Sequence, residues 1–349
     1  MNTKVIMLDE NKLSKNAVAE AGEVLKKGGL VVFPTETVYG LGANALDVEA
    51  VKKIFAAKGR PQDNPLIVHV ADYNLKPLVK NIPVIAQKLM EKFWPGPLTL
   101  IMEKSALVPD ITSAGLPTIG IRMPSNNIAR ELIAAAGVPV AAPSANVSGR
   151  PSPTEALRCV EDLDGKVDFI LGGGSCNVGL ESTIVDCTSN PPCVLRPGGI
   201  TLDMLKEVDS SIYIDPSIMK KAEGDFKPKA PGMKYRHYAP KAPMKIVQGD
   251  LQKTIEKINK IVQNSIDENK RVGILATDES VGRYSQGIII SLGSRADLKN
   301  IGKNLFEALR RFDDAEVDII LSEAFEENGI GTAVMNRLKK SAGYDIIQV

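Results

Sequence analysis

Two cations separated by one glycine, Lys58 and Arg60, follow a predicted helix and precede an apolar run that contains His69. A guanidinium fork beside an ammonium group suits the oxygens of a phosphate or a carboxylate. Asn64 and a proline follow the cations, so a short rigid loop would hold both charges in place. The segment therefore predicts an anion site. The alternative is a solvated helix end, since cations in a last turn favour the helix dipole.

Hydroxyl groups and glycines occur together in the segment 33–44, directly after a predicted strand. In an extended backbone Thr35 and Thr37 point to the same side, so both could contact one ligand. Gly40 and Gly42 would let the backbone approach closely. The same composition is also typical of a strand that ends in a glycine turn.

The loop 143–153 carries Ser144, Asn146, Ser148 and Ser152 just before a predicted helix. The unpaired amides of a helix N-terminus attract phosphate, and these side chains add hydrogen-bond partners for it. We expect a phosphate-binding loop here. A simple capping loop is the alternative, because serine and asparagine also favour that position.

Two arginines, Arg122 and Arg196, end predicted apolar strands, where a guanidinium needs an anion or carbonyl groups. His69 lies within a predicted strand, where a lone histidine is usually a hydrogen-bonded core residue. With two histidines and scattered cysteines, no metal-binding residues are predicted. The sequence contains neither a G-x-S-x-G elbow nor a G-x-x-x-x-G-K-[ST] loop. Many oxyanion binders and few proton carriers predict an enzyme that positions anionic reactants at the carboxyl ends of its strands.

The elements that must position these residues alternate between extended and amphipathic segments up to about residue 200, which predicts an α/β fold. The predicted strands are 30–33, 66–70, 98–102, 118–122, 138–142, 167–171, 182–186 and 194–196, and the predicted helices are 16–27, 48–58, 84–93, 127–136 and 154–162. Two pairs of successive strands have no helix between them. We therefore expect a twisted mixed sheet.

Prolines and basic residues concentrate between Lys220 and Pro243, which predicts a linker that lies extended over a surface. The α/β pattern then restarts, with predicted strands 244–247, 272–276, 287–291 and 317–322 and predicted helices 251–264, 296–312 and 332–341. This alternation predicts a small Rossmann-like domain with a parallel sheet. The expected division is a catalytic domain over 1–210, the linker over 211–243 and a C-terminal domain over 244–349.

Composition limits the classes of function. The 349 residues include 43 basic and 42 acidic side chains, so no overall basic field draws the chain to nucleic acid or an anionic membrane. Four cysteines without a C-x-x-C spacing suit a reducing compartment. The sequence shows no signal region and no apolar run of about 18 residues. We expect a cytoplasmic enzyme without membrane association, and any RNA contact to be local and weak.

Several ordered motifs occur together in this sequence. They are Lys58-Gly-Arg60 with Ser144-Ala-Asn146, Pro34-Thr-Glu-Thr-Val-Tyr-Gly40, Asn64-Pro-Leu66 with His69, and Pro231-Gly-Met-Lys-Tyr-Arg-His-Tyr-Ala-Pro240. They closely resemble the motifs of the threonylcarbamoyl-AMP synthases in their long, two-domain form. The resemblance covers nearly the whole chain, from the YrdC-like N-terminal domain to Gly329-Ile-Gly-Thr-Ala-Val-Met-Asn-Arg337 in the smaller domain.

The resemblance implies a nucleotidyltransferase that converts L-threonine, bicarbonate and ATP, with Mg²⁺, into L-threonylcarbamoyl-AMP and pyrophosphate. A tRNA threonylcarbamoyl transferase machinery would use the product to form N6-threonylcarbamoyladenosine next to the anticodon. The resemblance also implies residue roles: threonine binding by Thr37, His69, Arg122, Ala142 and Ser182; ATP binding by Arg60, Asn64, Thr118, Ser144, Asn146, Ser152, Arg196 and Tyr235; and catalysis by Lys58 and Arg60.

This chemistry suits the many cations of the sequence. An N-carboxythreonine would attack the α-phosphate in line and expel pyrophosphate, so several anions must converge in one pocket. Their repulsion is on the order of several kcal/mol per close pair, which cationic side chains and a metal ion must offset. The carbamate and the adenylate are labile in water, so we expect the linker to close over the pocket as a lid.

Two other interpretations compete. An RNA-binding module would use a basic concave face, but balanced charge and loops suited to a small ligand argue against it. A carbamoyl transferase for hydrogenase maturation uses a related domain. That class carries C-x-x-C pairs and an acylphosphatase region, and neither occurs in this sequence.

Overall fold

The computed structural model describes residues 2–9, 12–219, 228–233 and 237–349. The chain divides into two compact units. The first unit comprises Met1–Ser148, Ser152–Asn177 and Glu181–Tyr235, and the second unit comprises Gly149–Pro151, Val178–Leu180 and Arg236–Val349.

The first unit is built on a large sheet with helices packed against it. Its strands are β1 (Lys4–Met7), β2 (Val31–Phe33), β3 (Gly40–Asn44), β4 (Ile67–His69), β5 (Leu98–Glu103), β6 (Thr118–Arg122), β7 (Val140–Ala141), β8 (Phe169–Gly172), β9 (Thr183–Asp186), β10 (Cys193–Arg196) and β11 (Tyr213–Ile214). Its helices are α1 (Lys15–Lys26), α2 (Val48–Lys58), α3 (Val84–Phe93), α4 (Asp110–Ser113), α5 (Asn127–Ala136), α6 (Ala156–Leu163) and α7 (Leu202–Lys206).

The sheet is mixed, as predicted. Its order within the described residues is β1-β8-β2-β3-β7-β4-β6-β5-β9-β10-β11. The two pairs of strands predicted to have no helix between them, β5 with β6 and β9 with β10, are both antiparallel. The short helix α4 nevertheless lies between β5 and β6, where none was predicted. Strands β4 and β6 are parallel, and this pairing sets His69 directly beside Arg122.

The two faces of this sheet have different surroundings. Side chains of one face, including Val68, Leu100 and Val185, join the main apolar core. On the opposite face, a second apolar cluster contains residues of α1 and α5 over one part of the sheet. The remaining part of that face carries His69 and Arg122, and we call it the site face.

Strand β3 was not predicted, because its sequence Gly-Leu-Gly-Ala-Asn looks like a glycine turn. It is an inner strand, paired with β2 and with β7. A Cβ atom at Gly42 would lie 2.8 Å from both the Phe33 ring and the Val140 side chain, so glycine is required by close packing.

The predicted linker begins with regular structure. Strand β11 pairs in parallel with β10, and a 3₁₀ turn follows at Pro216–Met219. Within residues 228–233, Ala230 and Met233 pack with apolar residues of the site face. This regular structure precedes the segment 220–243, which is the part expected to lie extended.

The second unit is a separate doubly wound domain. It contains β12 (Met244–Gln248), α8 (Leu251–Asp267), β13 (Val272–Ala276), β14 (Ile288–Ser291), α9 (Leu298–Asp314), β15 (Ile319–Glu323), α10 (Gly331–Ser341) and β16 (Ile346–Gln348). The sheet order is β14-β13-β15-β12-β16, and every pairing between these strands is parallel. The predicted parallel sheet is confirmed, although the short last strand was not predicted. No helix in the described ranges has the length and apolar character to cross a membrane.

Candidate active site

Arg122 is the centre of the polar part of the site face. Its side chain is 4% exposed, and three groups surround its guanidinium. Nε donates to the Gly96 carbonyl at 3.3 Å, and Nη1 donates to the Thr37 hydroxyl at 2.9 Å. Nη2 lies 2.8 Å from Oε1 of Glu36, which is itself buried.

The contact between Arg122 and Glu36 is an ion pair without hydrogen-bond geometry. Within the described residues, neither Nη2 of Arg122 nor Oε1 of Glu36 has a hydrogen-bond partner. Buried polar atoms are satisfied in most proteins, so such exceptions require an explanation. A ligand that brings both an acceptor and a donor would satisfy this pair.

The loop 34–39 brings Thr37 to Arg122, but not in the way the sequence predicts. The loop is bent, and the Thr35 and Thr37 hydroxyls lie 2.8 Å apart. Thr35 donates to the Val38 carbonyl at 2.6 Å, so Thr37 donates to Thr35 while it accepts from Arg122. The expectation that both hydroxyls face one ligand from an extended backbone is therefore wrong, because Thr35 holds the bend.

His69 stands beside Arg122 on the neighbouring strand as a buried, neutral imidazole. Burial and then the Arg122 guanidinium lower the pKa of His69 from 6.5 to about 3, with a smaller effect from Arg196. The edge of the Phe33 ring packs against it with a centroid distance of 6.2 Å. A neutral imidazole can donate or accept a hydrogen bond without adding charge to the site.

Lys58 joins two of the sequence motifs. It is the last residue of α2, only 2% exposed, and its ammonium donates to the carbonyls of Ser144 and Asn146. The Ser144 hydroxyl in turn donates to Oδ1 of Asn146 at 2.5 Å. The alternative of a solvated helix end is therefore wrong for Lys58.

Arg60 braces the loop that leads into β4. Its Nη2 donates to the carbonyls of Asn64 at 3.3 Å and Pro65 at 3.2 Å. The side-chain oxygen of Asn64 is buried, and no hydrogen-bond partner for it occurs in the part of the chain that the structure describes. Asn64 therefore offers a second open acceptor in the first unit.

Arg196 and Ser182 form another buried group on the site face. Nε of Arg196 donates to the Ser182 carbonyl and Nη2 donates to its hydroxyl, both at 3.0 Å. The Ser182 hydroxyl also lies 2.8 Å from that of Thr99. A Cβ atom at Gly198 would lie 2.5 Å from the Glu181 carbonyl, so a glycine lets the turn after Arg196 approach this loop.

The remaining predicted residues have varied surroundings. Ser152 is buried and its hydroxyl donates to Oε1 of Glu181 at 2.5 Å. Ala142 is buried, and its amide donates to the Ile67 carbonyl at 2.9 Å. Thr118 opens β6 opposite Glu103 and is partly exposed. Tyr235 lies outside the described residues.

A row of apolar side chains lies next to these polar residues on the site face. Ile67 precedes His69 by two residues and clusters with Ile101, Ile184 and the buried Ala230 of the linker segment 228–233. Lys229 of that segment lies 3.4 Å from the buried carboxylate of Asp186. One contact is apolar and one is ionic, and both hold the segment on this face.

Comparisons with known proteins identify the family. The Sua5/YciO/YrdC family model, described as telomere recombination, matches residues 23–198, and the model described as threonylcarbamoyl-AMP synthase, C-terminal domain, matches residues 200–343. The chain belongs to the threonylcarbamoyl-AMP synthase family. The resemblance drawn from the motifs is thus confirmed.

Relatives of this family match along their whole length. A threonylcarbamoyl-AMP synthase from Pyrococcus abyssi is 46% identical over 346 residues, 99% of each chain. One from Bacillus subtilis is 46% identical over 354 residues, 100% of each chain. The crystal structure of P. abyssi Sua5 complexed with L-threonine superposes with a TM-score of 0.94 over 99% of this chain and 100% of that one.

In this member of the threonylcarbamoyl-AMP synthase family, not all of the predicted site residues lie at the carboxyl ends of strands, where the sequence led us to expect them. His69, Arg122 and Arg196 do end their strands, whereas Ser182 precedes β9 and Thr118 begins β6. Antiparallel pairing explains the position of Ser182, since it sets the start of β9 beside the end of β10. Thr118 lies at the opposite end of β6 from Arg122, opposite Glu103.

Sequence reasoning missed three residues of this region: Glu36, Thr99 and Glu181. Glu36 lies inside the 34–40 motif, between two threonines and shortly after a predicted apolar strand. A carboxylate at such a position could have been recognised from the sequence as a candidate site residue. Thr99 and Glu181 gave no such signal, because only tertiary contacts bring them to Ser182 and Ser152.

Proposed function

We propose that this chain is an L-threonylcarbamoyladenylate synthase, which makes L-threonylcarbamoyl-AMP and pyrophosphate from L-threonine, bicarbonate and ATP. The observation that carries the proposal is the buried Arg122, whose Nη2 makes no hydrogen bond within the described residues, beside a neutral His69. A guanidinium in this setting suits a carboxylate, and full-length family membership supports threonine as its source.

The threonine subsite of this proposal surrounds Arg122. Arg122 takes the substrate carboxylate, while Thr37 and Ser182 supply hydroxyl groups and Ala142 lines the floor. His69 adds a hydrogen bond without a second positive charge. The hydrogen bonds from Arg122 to Thr37 and Gly96 fix the guanidinium before the substrate arrives, which lowers the entropic cost of positioning it.

Adenylate formation requires two new bonds, which form one after the other. The threonine nitrogen, once it has lost a proton, attacks the carbon of carbon dioxide derived from bicarbonate, which gives N-carboxythreonine. A carbamate oxygen then attacks the α-phosphorus in line, and the bond to pyrophosphate breaks as the new phosphorus–oxygen bond forms. The protein supplies position and positive charge for these steps.

The nucleotide subsite is proposed next to the threonine subsite, since Arg196 of the nucleotide subsite donates to Ser182 of the threonine subsite. Its residues are Arg60, Asn64, Thr118, Ser144, Asn146, Ser152, Arg196 and Tyr235. Lys58 and Arg60 are assigned the catalytic roles, because their charges offset those of the phosphates and the carbamate as these converge. The buried Lys58 ammonium is held by two carbonyls of the Ser144 loop, so its position is fixed before ATP binds.

Mg²⁺ is proposed to enter with ATP. No group of three or more potential metal-ligating side chains lies together in the described ranges of the chain. Mg²⁺ usually keeps several waters and binds phosphate oxygens with only one or two carboxylates, so a dedicated protein cage is not required. The ion would screen the phosphate charges during attack.

The domain roles follow the same proposal. Residues 1–210 form the catalytic domain, 211–243 the linker that closes over the site, and 244–349 the C-terminal domain. The packing of Ala230 and Met233 on the site face supports the linker as a cover. The product would pass in the cytoplasm to the tRNA threonylcarbamoyl transferase machinery, with at most a weak RNA contact of its own.

The direct test is pyrophosphate release from ATP by the purified full-length protein. Release should require both L-threonine and bicarbonate, and L-serine should replace threonine poorly. Pyrophosphate release that ignores threonine would refute the proposal. A salt-sensitive shift of RNA without threonine-dependent turnover would instead support an RNA-binding module.

A further inference from the structure

Glu36 is a buried carboxylate to which neither the sequence motifs nor the proposed reaction gives a role. It is 8% exposed, although a carboxylate is costly to bury without compensation. One of its oxygens, Oε2, accepts a hydrogen bond from the Ser125 amide at 3.2 Å. This bond fixes the orientation of the carboxylate, so Oε1 faces Arg122.

The hydrogen bonding of Oε1 is incomplete. This oxygen lies 2.8 Å from Nη2 of Arg122, but within the described residues neither atom makes a hydrogen bond. An acceptor and a donor therefore lie next to each other, both buried, in ion-pair contact and without a hydrogen bond within the described residues. The other two sides of the guanidinium are occupied by Gly96 and Thr37.

An α-amino acid matches this pair of atoms. Its ammonium and carboxylate stand on adjacent carbons, so its positive and negative groups also lie next to each other. We propose that Oε1 of Glu36 binds the α-ammonium of the amino acid substrate while Nη2 of Arg122 binds its carboxylate. Glu36 is then a specificity-determining residue that requires an amine on the substrate. This inference rests on the proposed function.

A purely structural role for Glu36 makes a different prediction. If Glu36 only orients Arg122, its loss should weaken every carboxylate ligand of Arg122 to the same degree. If Glu36 binds the ammonium, its loss should weaken only ligands that carry the amine. (R)-3-Hydroxybutyrate separates the two cases, because it has the carboxylate, hydroxyl and methyl groups of L-threonine but lacks the amine.

The experiment is calorimetric titration of the full-length protein and its Glu36→Gln variant with L-threonine and with (R)-3-hydroxybutyrate. Loss of a charge-assisted hydrogen bond should raise the Kd for L-threonine about 10- to 100-fold. The Kd for (R)-3-hydroxybutyrate should stay within about twofold, since its contact with Arg122 remains. Equal weakening of both ligands, or no weakening of either, would overturn the inference.

Two further variants serve this test, one as a control and one as a replacement for Glu36→Gln. Glu103→Gln changes an exposed glutamate of the same sheet and should leave both Kd values unchanged. Should Glu36→Gln fail to fold, Glu36→Asp keeps the charge but withdraws the oxygen from the ligand. It too should weaken L-threonine more than (R)-3-hydroxybutyrate, and equal effects on both would overturn the inference.

If the proposed function itself is wrong, these experiments give a different result. In that case the unmodified protein would neither bind L-threonine nor release pyrophosphate in its presence. A functional unmodified protein whose Glu36→Gln variant treats both ligands alike would refute only the role of Glu36.

Discussion

Each unit contains an arginine paired with a buried glutamate, and the two pairs differ in how completely they are satisfied. In the second unit, Arg295 donates to Oε2 of Glu323 at 2.5 Å and to the Ala324 carbonyl at 2.6 Å. Glu323 is fully buried and has further contacts with three hydroxyl groups, those of Thr277, Ser280 and Tyr284. In the first unit, Nη2 of Arg122 and Oε1 of Glu36 lie 2.8 Å apart, and within the described residues neither atom makes a hydrogen bond.

The difference supports our proposal that the pair in the second unit is structural and that the pair in the first unit binds a ligand. Removing two charges from water is costly, and the protein recovers that cost only when hydrogen bonds satisfy the remaining atoms. The pair in the second unit meets this condition: it joins the end of β15 to the segment after β14, and Thr277 links Glu323 to the end of β13. The pair in the first unit does not, which is a cost to folding that a bound ligand can offset.

The largest expected effect tests whether the buried cations of the first unit serve substrates. Lys58→Ala should lower kcat for threonine-dependent pyrophosphate release about 1000-fold, because a fixed charge next to the reacting phosphate is lost. Its two carbonyl partners lose a donor, so the free energy of unfolding should fall by only about 1–2 kcal/mol. Steady-state kinetics and urea unfolding measure the two quantities.

Lys52→Ala is the matched control for Lys58, since it removes an exposed lysine from the same helix. It should change neither quantity measurably. A Lys58→Ala enzyme with unaltered pyrophosphate release would contradict the catalytic role.

The next effect concerns stability in the second unit. Glu323→Ala should lower the free energy of unfolding by about 3 kcal/mol, because it leaves the Arg295 charge and three hydroxyls without their acceptor. The folded fraction should keep its threonine-dependent activity within about twofold. Thermal unfolding and activity per folded molecule check this, and a large loss of activity without a loss of stability would reverse the assignment.

The two units should also lose stability in different ranges of pH. The pKa of His69 is lowered from 6.5 to about 3 in the folded state, so the unfolded chain binds more protons between these values. Stability of the first unit is therefore complete above pH 6.5 and falls as the pH decreases, by about 2 kcal/mol between pH 6.5 and 5. His69→Gln should flatten this slope.

Fluorescence of the single tryptophan, Trp94, reports unfolding of the first unit, to which it belongs.

In the second unit, the Ser294 hydroxyl and the Arg295 amide lower the pKa of Glu279 to about 2. Its contribution is present above pH 4.5 and is lost only below that value. Identical acid sensitivity of the His69→Gln variant and the unmodified protein would contradict this account.

The smallest effect should come from an exposed ion pair. Lys4 and Glu20 lie 2.6 Å apart, with half of each side chain exposed. Glu20→Ala should change the free energy of unfolding by less than about 0.5 kcal/mol and leave activity unchanged. A loss comparable to that of Glu323→Ala would show that burial does not distinguish these pairs.

Much of the fold could be predicted from sequence, because apolar periodicity and helix-free gaps are local signals. These signals predicted the mixed sheet and the parallel sheet of the second unit. Strand β3 was missed because its glycines are explained only by the neighbouring Phe33 and Val140 side chains. The edge strands β1 and β16 were also missed.

The site was predictable as a set of residue types, but its contacts were not. Nothing in the spacing of Lys58 indicates that its ammonium bonds to the carbonyls of Ser144 and Asn146. The importance of Glu36 also depends on Arg122, which is distant in sequence and which only strand pairing and a bent loop bring close. Sequence patterns report local periodicity, whereas these contacts depend on tertiary packing.

The most direct test of the difference between the two pairs is L-threonine binding by Arg122→Lys and Arg295→Lys, measured by calorimetry on the full-length proteins. Lysine keeps the charge but loses the planar fork, so Arg122→Lys should bind L-threonine at least about 100-fold more weakly. Arg295→Lys should bind it with an unchanged Kd and lose only stability. Equal Kd values for the two variants would contradict the assignment of the Arg122–Glu36 pair as the substrate site.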